Sequence, residues 1–156
     1  MRPLWVGVLL GLGAVTAEAA DFEAASVTPP AALTLKPGAT AAVPVAISVK
    51  PGYHVQANPV LNKFLIPVVL DLKPAAGVAP GAPVYPPARW MRLHGSDEDL
   101  VVYDGKFTIA QPVTAGAGNS AGDAQLQGIL RYQACDATHC LRPRTVPVQL
   151  TVHIRR

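Results

Sequence analysis

Asp99-Leu100-Val101-Val102-Tyr103-Asp104-Gly105-Lys106-Phe107-Thr108-Ile109-Ala110-Gln111-Pro112-Val113 is the stretch that decides the fold class. Apolar residues alternate with others at a period of two on either side of Asp104-Gly105, and an Asp-Gly pair supplies the positive φ angles of a tight turn. The segment therefore predicts two antiparallel strands, 99–103 and 106–113, joined as a hairpin. Working outward, the same short apolar runs recur at 22–27, 32–35, 42–49, 53–57, 64–72, 126–134 and 141–154, and no long helical period interrupts them. Breaks at Lys50-Pro51-Gly52, 73–87 and 114–123 carry the Pro, Gly and Ala of loops. Strands of this length at this spacing predict an all-β chain, a β-sandwich with a small barrel as the alternative.

Composition agrees. The chain has 156 residues, enough for one domain, and half are apolar while only 6% are aromatic, so the core is expected to be aliphatic. Sixteen Pro and 13 Gly punctuate the short runs, and with 15% charged residues the chain is neither collagen-like, coiled-coil nor highly charged and disordered. The formal charge is +3, but the basic residues are scattered and the only adjacent pair is Arg155-Arg156. Nucleic acid is excluded as a partner, because neutralising several phosphates needs a clustered stripe of Lys and Arg.

Residues 1–20 differ from the rest. Arg2 gives a positive start, residues 4–15 an apolar stretch, and Ala17-Glu18-Ala19 a small-x-small pattern, which together predict a secretory signal peptide cleaved after Ala19 or Ala20. The apolar stretch is shorter than a spanning helix needs, so no membrane span is expected, and the domain proper is 21–156.

Chemistry rests on the two cysteines, Cys135 and Cys140, in Tyr132-Gln133-Ala134-Cys135-Asp136-Ala137-Thr138-His139-Cys140-Leu141. In an exported chain two Cys on the shoulders of a hairpin are expected to join. A loop of about six residues gives a disulfide roughly 2 kcal/mol of entropic stabilisation, little for a bridge selected for stability, and small loops also hold reducible disulfides, so structural and redox-active roles both stand. His139 precedes Cys140, and Arg142 and Arg144 follow it, whereas Asp136 neighbours Cys135, so Cys140 is the expected thiolate. The two sulfurs with His139 and either His54 or His94 could also form a soft copper or zinc site, but no second Cys pair follows and His139 points away from Cys140 on a strand. No cofactor is expected.

Pro51-Gly52-Tyr53-His54-Val55-Gln56-Ala57-Asn58, Phe64-Leu65-Ile66-Pro67, Tyr85-Pro86-Pro87, Val102-Tyr103-Asp104-Gly105, and the segment from Tyr132 to Cys140 with Val146-Pro147-Val148 resemble, in order, the N-terminal periplasmic domain of the DsbD thiol:disulfide reductases. The resemblance implies an immunoglobulin-like antiparallel sandwich in the periplasm. Its cysteine pair would pass electrons from a membrane-embedded thiol reductase to oxidised thioredoxin-like proteins. It makes Cys135 and Cys140 the redox pair, with Cys140 forming the mixed disulfide, and places Tyr53 and His54 beside them. Two features depart from the family. Its membrane and thioredoxin-like domains do not follow, which suggests a stand-alone form served by a separate donor. The family's acidic-aromatic cap stretch is replaced by residues 90–100, leaving Trp90, Leu93 and Leu100 as candidates for shielding, with Trp90 alternatively in the core. A non-catalytic exported binding module with a structural disulfide and a periplasmic copper-handling protein are the competing functions.

Overall fold

A computed structural model describes residues 22–92 and 97–156. These residues contain no helix and twelve strands: β1 Ala25–Val27, β2 Leu33–Leu35, β3 Thr40–Val49, β4 His54–Gln56, β5 Val69–Leu72, β6 Val78–Pro80, β7 Arg89–Arg92, β8 Asp99–Tyr103, β9 Lys106–Ala115, β10 Gly122–Tyr132, β11 Ala134–Cys135 and β12 Arg144–Ile154. They form three four-stranded sheets, ordered β1-β3-β9-β6, β2-β12-β10-β5 and β11-β4-β8-β7, antiparallel throughout except for β2 beside β12.

The long strands show why the chain folds this way. In β3 the residues Val43, Val45, Ile47 and Val49 are buried at every second position, and in β12 so are Val148, Leu150, Val152 and Ile154. Each strand thus turns one aliphatic face inward, and the faces of the first two sheets close a single core to which β9 and β10 add Ile109, Val113, Leu126 and Leu130. Tyr132 stitches the two sheets: its hydroxyl accepts from the Ala25 amide at 3.2 Å. The buried Gln111 is satisfied, its Nε2 donating to the Gly81 and Pro112 carbonyls at 2.8 and 2.9 Å. Gly128 allows β5 to lie close, because a Cβ there would stand 2.0 Å from the Asp71 carbonyl oxygen. The fold is all-β, an immunoglobulin-like sandwich.

The third sheet positions the site. It is assembled from continuations of long strands at one end of the sandwich: β4 follows β3 through the Lys50–Gly52 turn, β8 runs into β9, and β11 follows β10 after Gln133. This corrects the expected hairpin at Asp104-Gly105. Gly105 has the anticipated positive φ of 58°, but β8 pairs with β4 and β7 while β9 pairs with β3 and β6, so the turn is a corner between sheets. The Val49 amide donates to the Gly105 carbonyl at 2.7 Å and fixes that corner to the end of β3. The left-handed residue serves a corner as well as a hairpin, and four consecutive buried residues in β8, Leu100 to Tyr103, mark a strand covered on both faces.

Several boundaries differ from expectation, and β10 begins at Gly122 and β12 at Arg144 rather than at 126 and 141. The run 64–72 is a strand only from Val69, the expected loop 73–87 contains β6, and β7 was not anticipated. Both unanticipated strands are short and sit at sheet edges, and β7 is mostly exposed, so neither carries an apolar alternation to read.

A cystine at the end of the third sheet

Register across the third sheet sets which side chains meet. Ala134 stands opposite Val55 and Val55 opposite Tyr103, all in the main core. The next positions point to the other face: Cys135 stands opposite His54, and Gln56 opposite Val102. His54, Gln56, Leu100, Val102 and Cys135 are all buried there, apart from the main aliphatic cluster.

Cys140 lies directly across from Cys135 in an antiparallel bridge, and the two are joined in a disulfide with Cα atoms 3.9 Å apart. The loop holds its own shape. The Leu141 amide donates to the Ala134 carbonyl at 2.8 Å, and the Asp136 amide to the His139 carbonyl at 2.9 Å. Asp136 Oδ1 accepts from the Thr138 amide at 2.7 Å, the His139 amide at 2.7 Å and the Thr138 hydroxyl at 3.0 Å. Those bonds, the Thr138 amide first, hold its carboxyl below the ordinary 3.8.

The two cysteines differ in exposure. Cys135 is 1% exposed, whereas Cys140 is exposed on the loop. Gln56 Nε2 lies 3.6 Å from Cys135 Sγ as a donor. Two buried polar atoms at this level have no hydrogen-bond partner, Gln56 Oε1 and His54 Nε2. Burial, followed by the charge of Arg89, lowers the pKa of His54 from the ordinary 6.5, with Asp104 and Asp136 opposing, so the imidazole is neutral at pH 7. A groove of about 560 Å³ runs beside it, lined among others by Tyr53, His54, Arg89, Met91 and Ala137. Arg89 forms an ion pair with Asp104 on its wall.

Of the residues singled out from sequence, Cys135, Cys140 and His54 come together on adjoining strands, and Tyr53 lines the groove with its ring 5.2 Å from that of Phe22. His139 is exposed in the turn, its Nδ1 2.7 Å from the Thr138 hydroxyl. Leu100 is buried on the face that carries Cys135. Trp90 is corrected: it is 64% exposed on edge strand β7, so it is not core. Opposite Val101, it also lies on the face away from Cys135. Leu93 and His94 fall outside the described residues, as does the expected signal peptide. Among the described residues no three His, Cys, Asp or Glu form a group that could hold a metal ion, and no helix is long and apolar enough to cross a membrane. Sequence reasoning missed Gln56, whose signal was an amide two residues from His54 in a strand that the core would otherwise fill with apolar side chains.

Fold and site together define an immunoglobulin-like sandwich that carries one cystine at its end, with one cysteine exposed and the other buried. Over residues 23–151 the chain matches the family described as thiol:disulfide interchange protein DsbD, N-terminal, and it belongs to that family. Among solved structures it is similar to the N-terminal periplasmic domain of ScsB from Proteus mirabilis, with 11% identity over 81% of this chain and 44% of that one and a TM-score of 0.53. The chain thus spans less than half of that structure, and the likeness is one of fold. The N-terminal domain of DsbD from Neisseria meningitidis in the reduced form matches at 19% identity, over 83% of this chain and 90% of that one, with a TM-score of 0.47. A type I cohesin of ScaB from Pseudobacteroides cellulosolvens matches at 8% identity, over 85% and 94%, with a TM-score of 0.42. No curated protein matches the chain.

Proposed function

We propose that residues 1–20 direct export and that 21–156 form a periplasmic interchange domain, which passes reducing equivalents from a membrane-embedded thiol reductase to oxidised thioredoxin-like proteins through Cys135 and Cys140. The observation that carries this is the pairing of an exposed Cys140 with a buried Cys135 in a loop that is also closed by two backbone hydrogen bonds, Leu141 to Ala134 and Asp136 to His139.

In the reduced domain the Cys140 thiolate attacks a partner disulfide, and the partner's second sulfur leaves as a thiolate that takes up a proton. Cys135 then loses its proton and attacks Cys140 Sγ, displacing the partner's remaining thiolate. Two electrons and two protons pass to the partner, and the domain's cystine re-forms. Reloading runs in reverse: a donor thiolate attacks the exposed Cys140 Sγ, and Cys135 leaves as a thiolate. Tyr53, His54 and the neighbouring groove receive the partner's segment around its cysteine, and His139 stands at the exposed lip of the loop.

The test uses a thioredoxin-like protein carrying a single cysteine activated as a mixed disulfide with thionitrobenzoate. Cys135→Ala is expected to trap a protein–protein disulfide through Cys140, and Cys140→Ala far less, because its remaining sulfur is buried. Trapping chiefly by Cys140→Ala would overturn the roles.

A further inference from the structure

We propose that Gln56 is a catalytic residue of this site, whose side-chain N–H stabilises the negative charge arising on Cys135 Sγ when that sulfur is expelled or made ready to attack. The proposal rests on the exchange chemistry above and assigns the group that makes a buried sulfur serviceable.

The difficulty it resolves is one of desolvation. Cys135 is 1% exposed, and a thiolate formed there loses its water shell, which disfavours the charge and makes the sulfur a poor leaving group. The surrounding charges do not offset this. Asp136 is an anion whose Oδ1 is occupied by the turn's own donors, Arg89 is paired with Asp104, and His54 is held neutral by burial. The donor that reaches the sulfur is Gln56 Nε2 at 3.6 Å, within range for the large sulfur atom.

Gln56 is itself fully buried, and its Oε1 has no partner. A buried carbonyl left unpaired costs stability, so a Met of similar volume would serve the packing better. What Met cannot do is donate. A hydrogen bond to a disulfide sulfur is weak while one to a thiolate is strong, so the N–H acts most in the state where charge has developed. Being neutral, the amide favours that charge in both directions of exchange. When Cys135 is a thiol, a half-turn of the amide lets Oε1 accept its S–H.

The experiment needs no redox partner in its first arm. In the Cys140→Ala chain Cys135 is the only thiol, and its thiolate is followed by ultraviolet absorbance against pH after subtracting the same titration of the Cys135→Ala/Cys140→Ala chain, which carries the tyrosine signal. Adding Gln56→Met is expected to lower the thiolate fraction at neutral pH about tenfold, the size of one hydrogen bond to a charged group. In the chain with both cysteines, Gln56→Met should slow reduction by dithiothreitol about threefold, less because the leaving sulfur carries only part of the charge in the transition state. Gln56→Leu is a second variant, and melting curves establish that each is folded. A folded variant with unchanged Cys135 titration would overturn the proposal. If the titration shifts while the Cys135→Ala chain traps nothing, the exchange assignment fails and the role of Gln56 at the sulfur stands.

Discussion

Reducing the Cys135–Cys140 bond should leave the sandwich folded and cost little stability. The bridge closes a loop of about six residues, and the chain-entropy model gives such a loop about 2.2 kcal/mol. Little else depends on it. β11 is hydrogen-bonded to β4, the loop is closed by the Ala134–Leu141 and Asp136–His139 bonds, and the eleven register pairs of β10 and β12 lie outside the loop. Unfolding the roughly 130 described residues carries an entropy of roughly 0.28 kcal/mol per degree, so 2.2 kcal/mol corresponds to a Tm lower by about 8 °C. The assay is a far- and near-UV circular dichroism melt with and without a phosphine reductant, with the Cys135→Ala/Cys140→Ala chain as the fully reduced reference. A single cooperative transition displaced by about that amount is expected. Loss of the near-UV signal before heating, or a fall in Tm several times larger, would make the bridge a structural staple and refute the reasoning. A reduction potential well below about −300 mV, the range of inert bridges, would do the same.

Two further outcomes test the frame around the site. Gly128→Ala puts a Cβ 2.0 Å from the Asp71 carbonyl oxygen and 2.7 Å from Leu72 Cα, so β5 must shift; a loss of about 1–3 kcal/mol is expected in urea unfolding, with reduction of the distant cystine unchanged. Acid should weaken the fold in two separate steps. The His54 pKa is lowered in the folded chain, so its contribution is complete above 6.5 and declines below it, where the unfolded chain takes up the proton first. Asp136, also lowered, contributes above 3.8 and is lost as pH falls through its folded value. In a pH series of urea midpoints, His54→Leu should remove the first step and Asp136→Asn the second, and an unchanged profile in either variant counts against the corresponding packing.

The long strands were legible because both sides of the physics agree there. β3, β9, β10 and β12 bury alternate aliphatic residues, and a period of two is visible wherever one face meets the core and the other meets water. The third sheet breaks that condition. β8 and β4 are covered on both faces and lose the alternation, while β7 is mostly exposed and never had one. At Asp104-Gly105 the expected positive φ is met by Gly105 and not by Asp104, and the hairpin expectation fails because the partner strands are chosen by core packing tens of residues away.

The site divides along the same line. Cys135 and Cys140 are the chain's two cysteines and were expected to join, but their spacing left structural and redox roles open until the family resemblance chose between them, and the charges beside Cys140 in sequence favoured it as the thiolate. Exposure separates the two residues on another ground, Cys140 being exposed and Cys135 buried. Trp90 looked suited to the core or to a cap because it is large and apolar, yet one position along β7 decides which face it occupies, and edge-strand register is invisible to composition. Gln56 was unreadable for a related reason. Its value lies in a contact 79 residues away in sequence, made on the second face of a sheet whose existence the sequence did not announce. A buried amide with one end on a sulfur and the other end unpaired costs a sandwich core stability that an apolar side chain of similar volume would not. The proposed part of Gln56 in exchange accounts for that mismatch between cost and packing on the face of β4.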